Sequence, residues 1–208
     1  SQRNAKHAAG LTVAGPNSND PPQGSLFARL RDANAEAWQD YTEHPFLMAL
    51  ADGNLSEPAF RHYLIQDFIF LRHFARAYGL AAYKAENLDE IRTASRGLQA
   101  IVDVEIGLHE SYCTDWGVDS ATLEAAPEHN ATLAYTRYVL ERGMAGDLLD
   151  LYVALAPCII GYGEIGARLL ANNRTKLEGN RFAAWIEMYG GEDYQTISAD
   201  AVRYLDQV

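Results

Sequence analysis

The sequence predicts an all-α protein, on three observations. Glycine and proline punctuate segments of helical length, and no stretch alternates apolar and polar residues in the manner of a half-buried strand. Residues 147–170 are apolar on nearly every side of a helix, which marks a helix buried in a core, because a surface helix keeps a polar face.

Residues 1–24 are rich in Asn, Ala, Gly and Pro and poor in large apolar side chains, so burial cannot offset the entropy of ordering them. They are expected to form a mobile tail. Residues 25–208 are expected to form one helical domain, a length that can enclose a substantial core. Helices are expected at 25–41, 57–84, 88–116, 130–142, 147–171, 180–189 and 198–206. Ser56-Glu-Pro58 supplies a side-chain cap and an early-turn proline for the second of these, and Asp147, after Gly143-Met-Ala-Gly146, caps the fifth.

Lys and Arg total 17 against 28 Asp and Glu, and the net charge of -11 disfavours a nucleic-acid partner, whose binding is driven by positive charge. Cys113 and Cys158 stand alone, in no metal-like spacing, which argues against a disulfide framework or a structural zinc and fits a reducing cytoplasm. Asp150, Pro157 and Glu164 interrupt the longest apolar run, and the start of the chain has no basic segment followed by an apolar one. A soluble protein with no membrane partner is expected.

The chemistry-bearing residues begin in the buried helix. Pro157 cannot donate a backbone hydrogen bond and should bend the helix beside Cys158, with Tyr162 one turn further on the same face. Such a bend leaves room for a ligand, although a lone cysteine is equally at home as a small core residue. In the second helix Tyr63, Asp67, Phe70, Leu71 and Phe74 share one stripe, so Asp67 faces the interior. A carboxylate there needs a partner, which a tyrosine, a backbone amide or a polar ligand could supply. Glu105 and His109 are spaced i, i+4, as a helical metal site requires, but no second Glu-x-x-His motif accompanies them and no metal is expected. Phe70, Tyr135, Tyr138, Tyr162, Trp185 and Tyr189 would suffice to wall a flat pocket, or would serve the core.

These motifs together resemble the TenA family, also called thiaminase II or aminopyrimidine aminohydrolase. The resemblance lies in His44-Pro-Phe46, Tyr63-Leu-Ile-Gln-Asp67, Glu105-x-x-x-His109, Ala134-Tyr135-Thr136, Leu155-Ala-Pro-Cys158-x-x-x-Tyr162-x-Glu164-x-Gly166 and Trp185-x-x-x-Tyr189-Gly-Gly191, in that order. It implies a heme-oxygenase-like helical bundle without heme, a homotetramer, no cofactor, and a pocket for thiamin or a 4-amino-2-methylpyrimidine in thiamin salvage. By position it implies catalytic roles for Cys158 as nucleophile and Asp67 as the carboxylate holding the pyrimidine, with Phe70, Tyr135, Tyr162 and Tyr189 lining the substrate. The family also has an acidic glutamate on a final helix. No matching segment precedes Val208, so that helix is expected to be missing from these residues. The alternatives within the same fold are a pyrimidine-binding or regulatory protein without catalysis, and an oxygenase-like enzyme holding iron on Glu105 and His109.

Overall fold

The computed structural model describes residues 20–208, and among them every regular element is helical. Most of the expected tail, 1–19, lies outside the described residues. The helices are α1 (Leu26–Ala33), α2 (Ala35–Thr42), α3 (Pro45–Ala51), α4 (Glu57–Lys84), α5 (Leu88–Ala100), α6 (Ile106–Asp115), α7 (Ser120–Ala125), α8 (Asn130–Ala145), α9 (Leu148–Ala156), α10 (Tyr162–Ala171), α11 (Ala183–Gly190) and α12 (Glu192–Leu205). Two π-helical turns, Ile101–Glu105 and Pro157–Gly161, join α5 to α6 and α9 to α10.

Both caps named from sequence form. The Ser56 hydroxyl accepts from the Ala59 amide, and Asp147 and Asp150 each accept the other's backbone N–H in a capping box. Three segments expected as single helices are interrupted. At Asn34 the side chain donates to the Leu30 carbonyl at 2.9 Å, and this local bond, with φ at -124°, separates α1 from α2. The other two breaks are the π-turns. Short α3 and α7 have no long apolar period to announce them, and α12 begins at Glu192, ahead of the expected 198.

Helix α4 divides the core. On one side Leu71, Phe74, Ala77 and Ala81 pack with Val139 of α8, Leu151 and Leu155 of α9, and Val202 and Leu205 of α12. On the other, Phe60, Leu64 and Phe68 pack with Cys113 of α6, Ile165 and Leu169 of α10, and Trp185 and Ile186 of α11. The stretch Leu148–Ala171 is long and apolar enough to cross a membrane by composition, but α9 and α10 spend that apolar surface within both halves of this core. Helices α10 and α11 cross so closely at Gly166 that a Cβ there would lie 2.5 Å or less from the Tyr189 and Gly190 backbone. The Gly166 in the sequence motif therefore sets how near Tyr189 comes to Tyr162, whose rings stand 4.8 Å apart.

Candidate active site

A cavity of about 720 Å³ lies between the two halves of the core. The full stripe read from α4, Tyr63, Asp67, Phe70, Leu71 and Phe74, lines it, because residues at i, i+3 and i+4 share a face. Helix α8 contributes Tyr135, the second π-turn Cys158, α10 Tyr162 and α11 Tyr189. The six residues assigned from sequence thus meet in one space. Two other aromatics do not. Tyr138 is 56 % exposed on the outer face of α8, and Trp185 stands behind the wall, donating its indole N–H to the Tyr63 hydroxyl at 3.1 Å. A neighbouring cavity of about 540 Å³ shares Tyr78, Gly97, Ile159 and Ile197 with the first but holds neither the thiol nor Asp67.

The thiol sits in the π-turn. Pro157 has no N–H to give, and a π-turn widens the helix, so carbonyls here lose their usual partners. Tyrosines from other helices replace them. Tyr41 of α2 donates to the Pro157 carbonyl at 2.8 Å, and Tyr194 of α12 donates to the carbonyls of Ile159 at 3.1 Å and Cys158 at 3.4 Å. Both tyrosines also line the cavity. The sequence pointed to a bend at Pro157 but not to these two residues, since nothing in the spacing of a surface-type helix marks a tyrosine that reaches a distant carbonyl. Tyr194→Phe removes the donor and leaves buried carbonyls unpaired. It is expected to lower stability by about 1 to 2 kcal/mol in chemical denaturation, while Tyr204→Phe, whose hydroxyl has no hydrogen-bond partner, changes it by less.

The Cys158 thiol donates to the Leu155 carbonyl at 3.0 Å. Burial pushes its pKa up to about 12; the Tyr135 hydroxyl beside it works in the opposite sense, and the Asp67 charge raises it further. The resting thiol is therefore protonated at neutral pH. Tyr135 itself donates to the Ala154 carbonyl at 3.0 Å and stacks on Phe70 with ring centroids 5.9 Å apart. Burial raises the pKa of Tyr41, Tyr63, Tyr135, Tyr162, Tyr189 and Tyr194, so the walls are neutral phenols. The Tyr63 and Tyr162 hydroxyls face each other at 3.4 Å.

Asp67 is the carboxylate of this space. Burial raises its pKa to about 6; the positive form of His109 lowers it and the Glu105 charge raises it. Glu105, at the end of the first π-turn, also lines the cavity, and burial raises its pKa too. Glu105 and His109 keep the α-helical i, i+4 relation, since α6 begins directly after Glu105, but the His109 ring is turned to partners on α4. His109 places Nε2 2.8 Å from the Leu64 carbonyl and Nδ1 3.5 Å from Asp67 Oδ2. Both ring nitrogens are thereby committed, and among the described residues no group of three His, Cys, Asp or Glu side chains could hold a metal. The donor set does not fit iron on Glu105 and His109.

Fold and site together define an all-helical protein with an aromatic-walled pocket around a thiol and a raised-pKa carboxyl group. The chain belongs to the TENA/THI-4/PQQC family, whose family model matches residues 31–208. A protein of Haemophilus influenzae is 39% identical over 168 residues, 81% of this chain and 77% of that protein. An aminopyrimidine aminohydrolase of Halalkalibacterium halodurans is 31% identical over 183 residues, covering 88% of this chain and 81% of that one. Among solved structures, one described as a TenA family transcription regulator from Silicibacter superposes with a TM-score of 0.83 at 44% identity, covering 89% of this chain and 81% of that one.

Proposed function

We propose that this protein is an aminopyrimidine aminohydrolase of the cysteine-dependent type, converting 4-amino-5-aminomethyl-2-methylpyrimidine and water to the 5-hydroxymethyl compound and ammonia in thiamin salvage, with thiamin cleavage as a related activity. The observation that carries this reading is the opening of Cys158 and Asp67 into one cavity walled by Phe70, Tyr135, Tyr162 and Tyr189. Similarity to aminopyrimidine aminohydrolases supports it.

A flat, electron-poor ring suits stacking between aromatic side chains, and a carboxyl group suits its amino-nitrogen edge. Cys158 Sγ adds to the ring carbon beside the substituted one, and the electron pair expels ammonia from the exocyclic methylene. Water then adds at that methylene, the C–S bond breaks, and the thiol is restored. Because the resting thiol is protonated, its proton leaves only as the ring binds, toward a phenol or carboxyl group of the wall. This chemistry draws on no metal or organic cofactor. The working form in this reading is a cytoplasmic homotetramer acting on a small-molecule substrate. Incubation of the purified protein with the aminomethylpyrimidine is expected to release one ammonia for each hydroxymethylpyrimidine formed. No release above the buffer control would overturn the assignment.

A further inference from the structure

His109 lies outside the cavity wall, one layer behind Asp67, and its two nitrogens face unlike partners. Leu64 offers a carbonyl, which can only accept, so Nε2 must carry a hydrogen. In a neutral imidazole Nδ1 is then a bare lone pair, and it faces Asp67 Oδ2, also an acceptor when ionised, at 3.5 Å. Two lone-pair atoms 3.5 Å apart on partly buried side chains repel. One proton between them turns the contact into attraction. Phe68 lies nearly parallel to the His109 ring at 6.4 Å and fixes the ring plane. The titratable groups around the pair are Tyr41 on α2, Tyr63 on α4, Glu105 on the first π-turn, Cys113 on α6, Cys158 on the second π-turn, Tyr162 on α10, Tyr189 on α11 and Tyr194 on α12, and none of them is a cation.

We propose that His109 is a positioning residue that stores a proton for Asp67, with Nδ1 and Oδ2 holding one proton between them when the cavity is empty and the pair releasing it to the ring edge of an aminopyrimidine when the cavity is filled. The ligand class rests on the function proposed above. An aminopyrimidine edge presents an amino donor beside a ring-nitrogen acceptor. A carboxyl group can meet both only if one proton sits between the ring nitrogen and a carboxyl oxygen. The balance is simple: Nδ1–H gives its proton to Oδ2, the proton ends between carboxyl and ring nitrogen, and His109 becomes neutral. No water or external acid enters.

The test uses the hydroxymethylpyrimidine as probe and binding as readout, so it stands whether or not ammonia is released. His109→Gln keeps a donor for Leu64 but cannot store a proton. The ratio of wild-type to variant affinity is expected to grow about tenfold between pH 6 and pH 8, because above its own titration Asp67 must draw the proton from solvent. A ratio that stays constant with pH, as a merely structural role would give, overturns the proposal. In the wild-type protein without ligand, nitrogen-15 and carbon-13 NMR should show His109 Nδ1 and the Asp67 carboxyl carbon moving with a common midpoint while Nε2 stays protonated. Separate midpoints, or a hydrogen lost from Nε2, overturn it even if the variant does not fold.

Discussion

Cys158→Ser is expected to reduce ammonia release by about 10³-fold or more while leaving pyrimidine affinity within about threefold, the pattern of a lost nucleophile rather than a lost binding contact. The change is nearly isosteric and the hydroxyl can still donate to the Leu155 carbonyl, as the thiol does at 3.0 Å, so the π-turn keeps its partners. Nucleophilicity is what disappears. With the thiol pKa near 12, the resting thiolate at pH 8 is on the order of one part in 10⁴, and a serine alkoxide would be scarcer by further orders of magnitude. The same number fixes the behaviour of the wild-type thiol toward a small alkylating agent. Labelling of Cys158 should rise about tenfold per pH unit through pH 9 without a plateau, and saturating pyrimidine should slow it. Cys113, fully buried among Phe60, Leu64 and Trp116, should react only on unfolding. Turnover in the serine variant above one-tenth of wild type would remove Cys158 from the mechanism, and labelling indifferent to pyrimidine would remove it from the pocket.

What the sequence disclosed here follows the reach of each interaction. The stripe from Tyr63 to Phe74 was legible because helical spacing is local: once α4 is a helix, those side chains share a face whatever surrounds them. Pro157 likewise signals a bend through its missing N–H, which is a property of one residue. The form of the bend was not legible. A π-turn needs partners for its displaced carbonyls, and these come from Tyr41 and Tyr194, 116 and 35 to 36 residues away along the chain. Glu105 and His109 show the same limit. Their i, i+4 spacing, though compatible with a metal, was read as holding none, but it could not name the partners that His109 takes, Leu64 and Asp67 on another helix, because those lie more than forty residues away along the chain. Among the aromatics, Tyr135 and Tyr138 stand one turn apart on α8, yet one lines the cavity and the other is exposed. A three-residue step rotates the helix by about 300°, and at the edge of the buried face that difference suffices.

Asp67→Asn should weaken pyrimidine binding and strengthen the fold at the same pH, which separates a functional carboxylate from a structural one. The substitution keeps the volume, and the new amide can donate to His109 Nδ1, so the contact behind the cavity survives. What is lost is a carboxyl oxygen that can share a proton with the ring nitrogen while the other accepts from the amino group, and affinity is expected to fall by about 1.5 to 3 kcal/mol. The stability change has the other sign. The folded pKa of Asp67 is raised to about 6, above its unfolded value of about 3.9. Below the unfolded value the group is neutral in both states and folding is unaffected. As pH rises through the folded value, ionisation is resisted in the native state alone, and the wild-type protein loses stability over that window. A shift of roughly two units corresponds to at most about 3 kcal/mol. Asparagine has no charge to bury, so the variant should match wild type near pH 4 and exceed it by about 1 to 3 kcal/mol at pH 8 in chemical denaturation. A carboxylate kept for the fold would give the reverse: unchanged pyrimidine affinity and a variant less stable than wild type at pH 8. A variant that binds more weakly yet folds more firmly would locate the cost of Asp67 in the empty protein and its use in the filled one, as expected of a charge buried for a ligand.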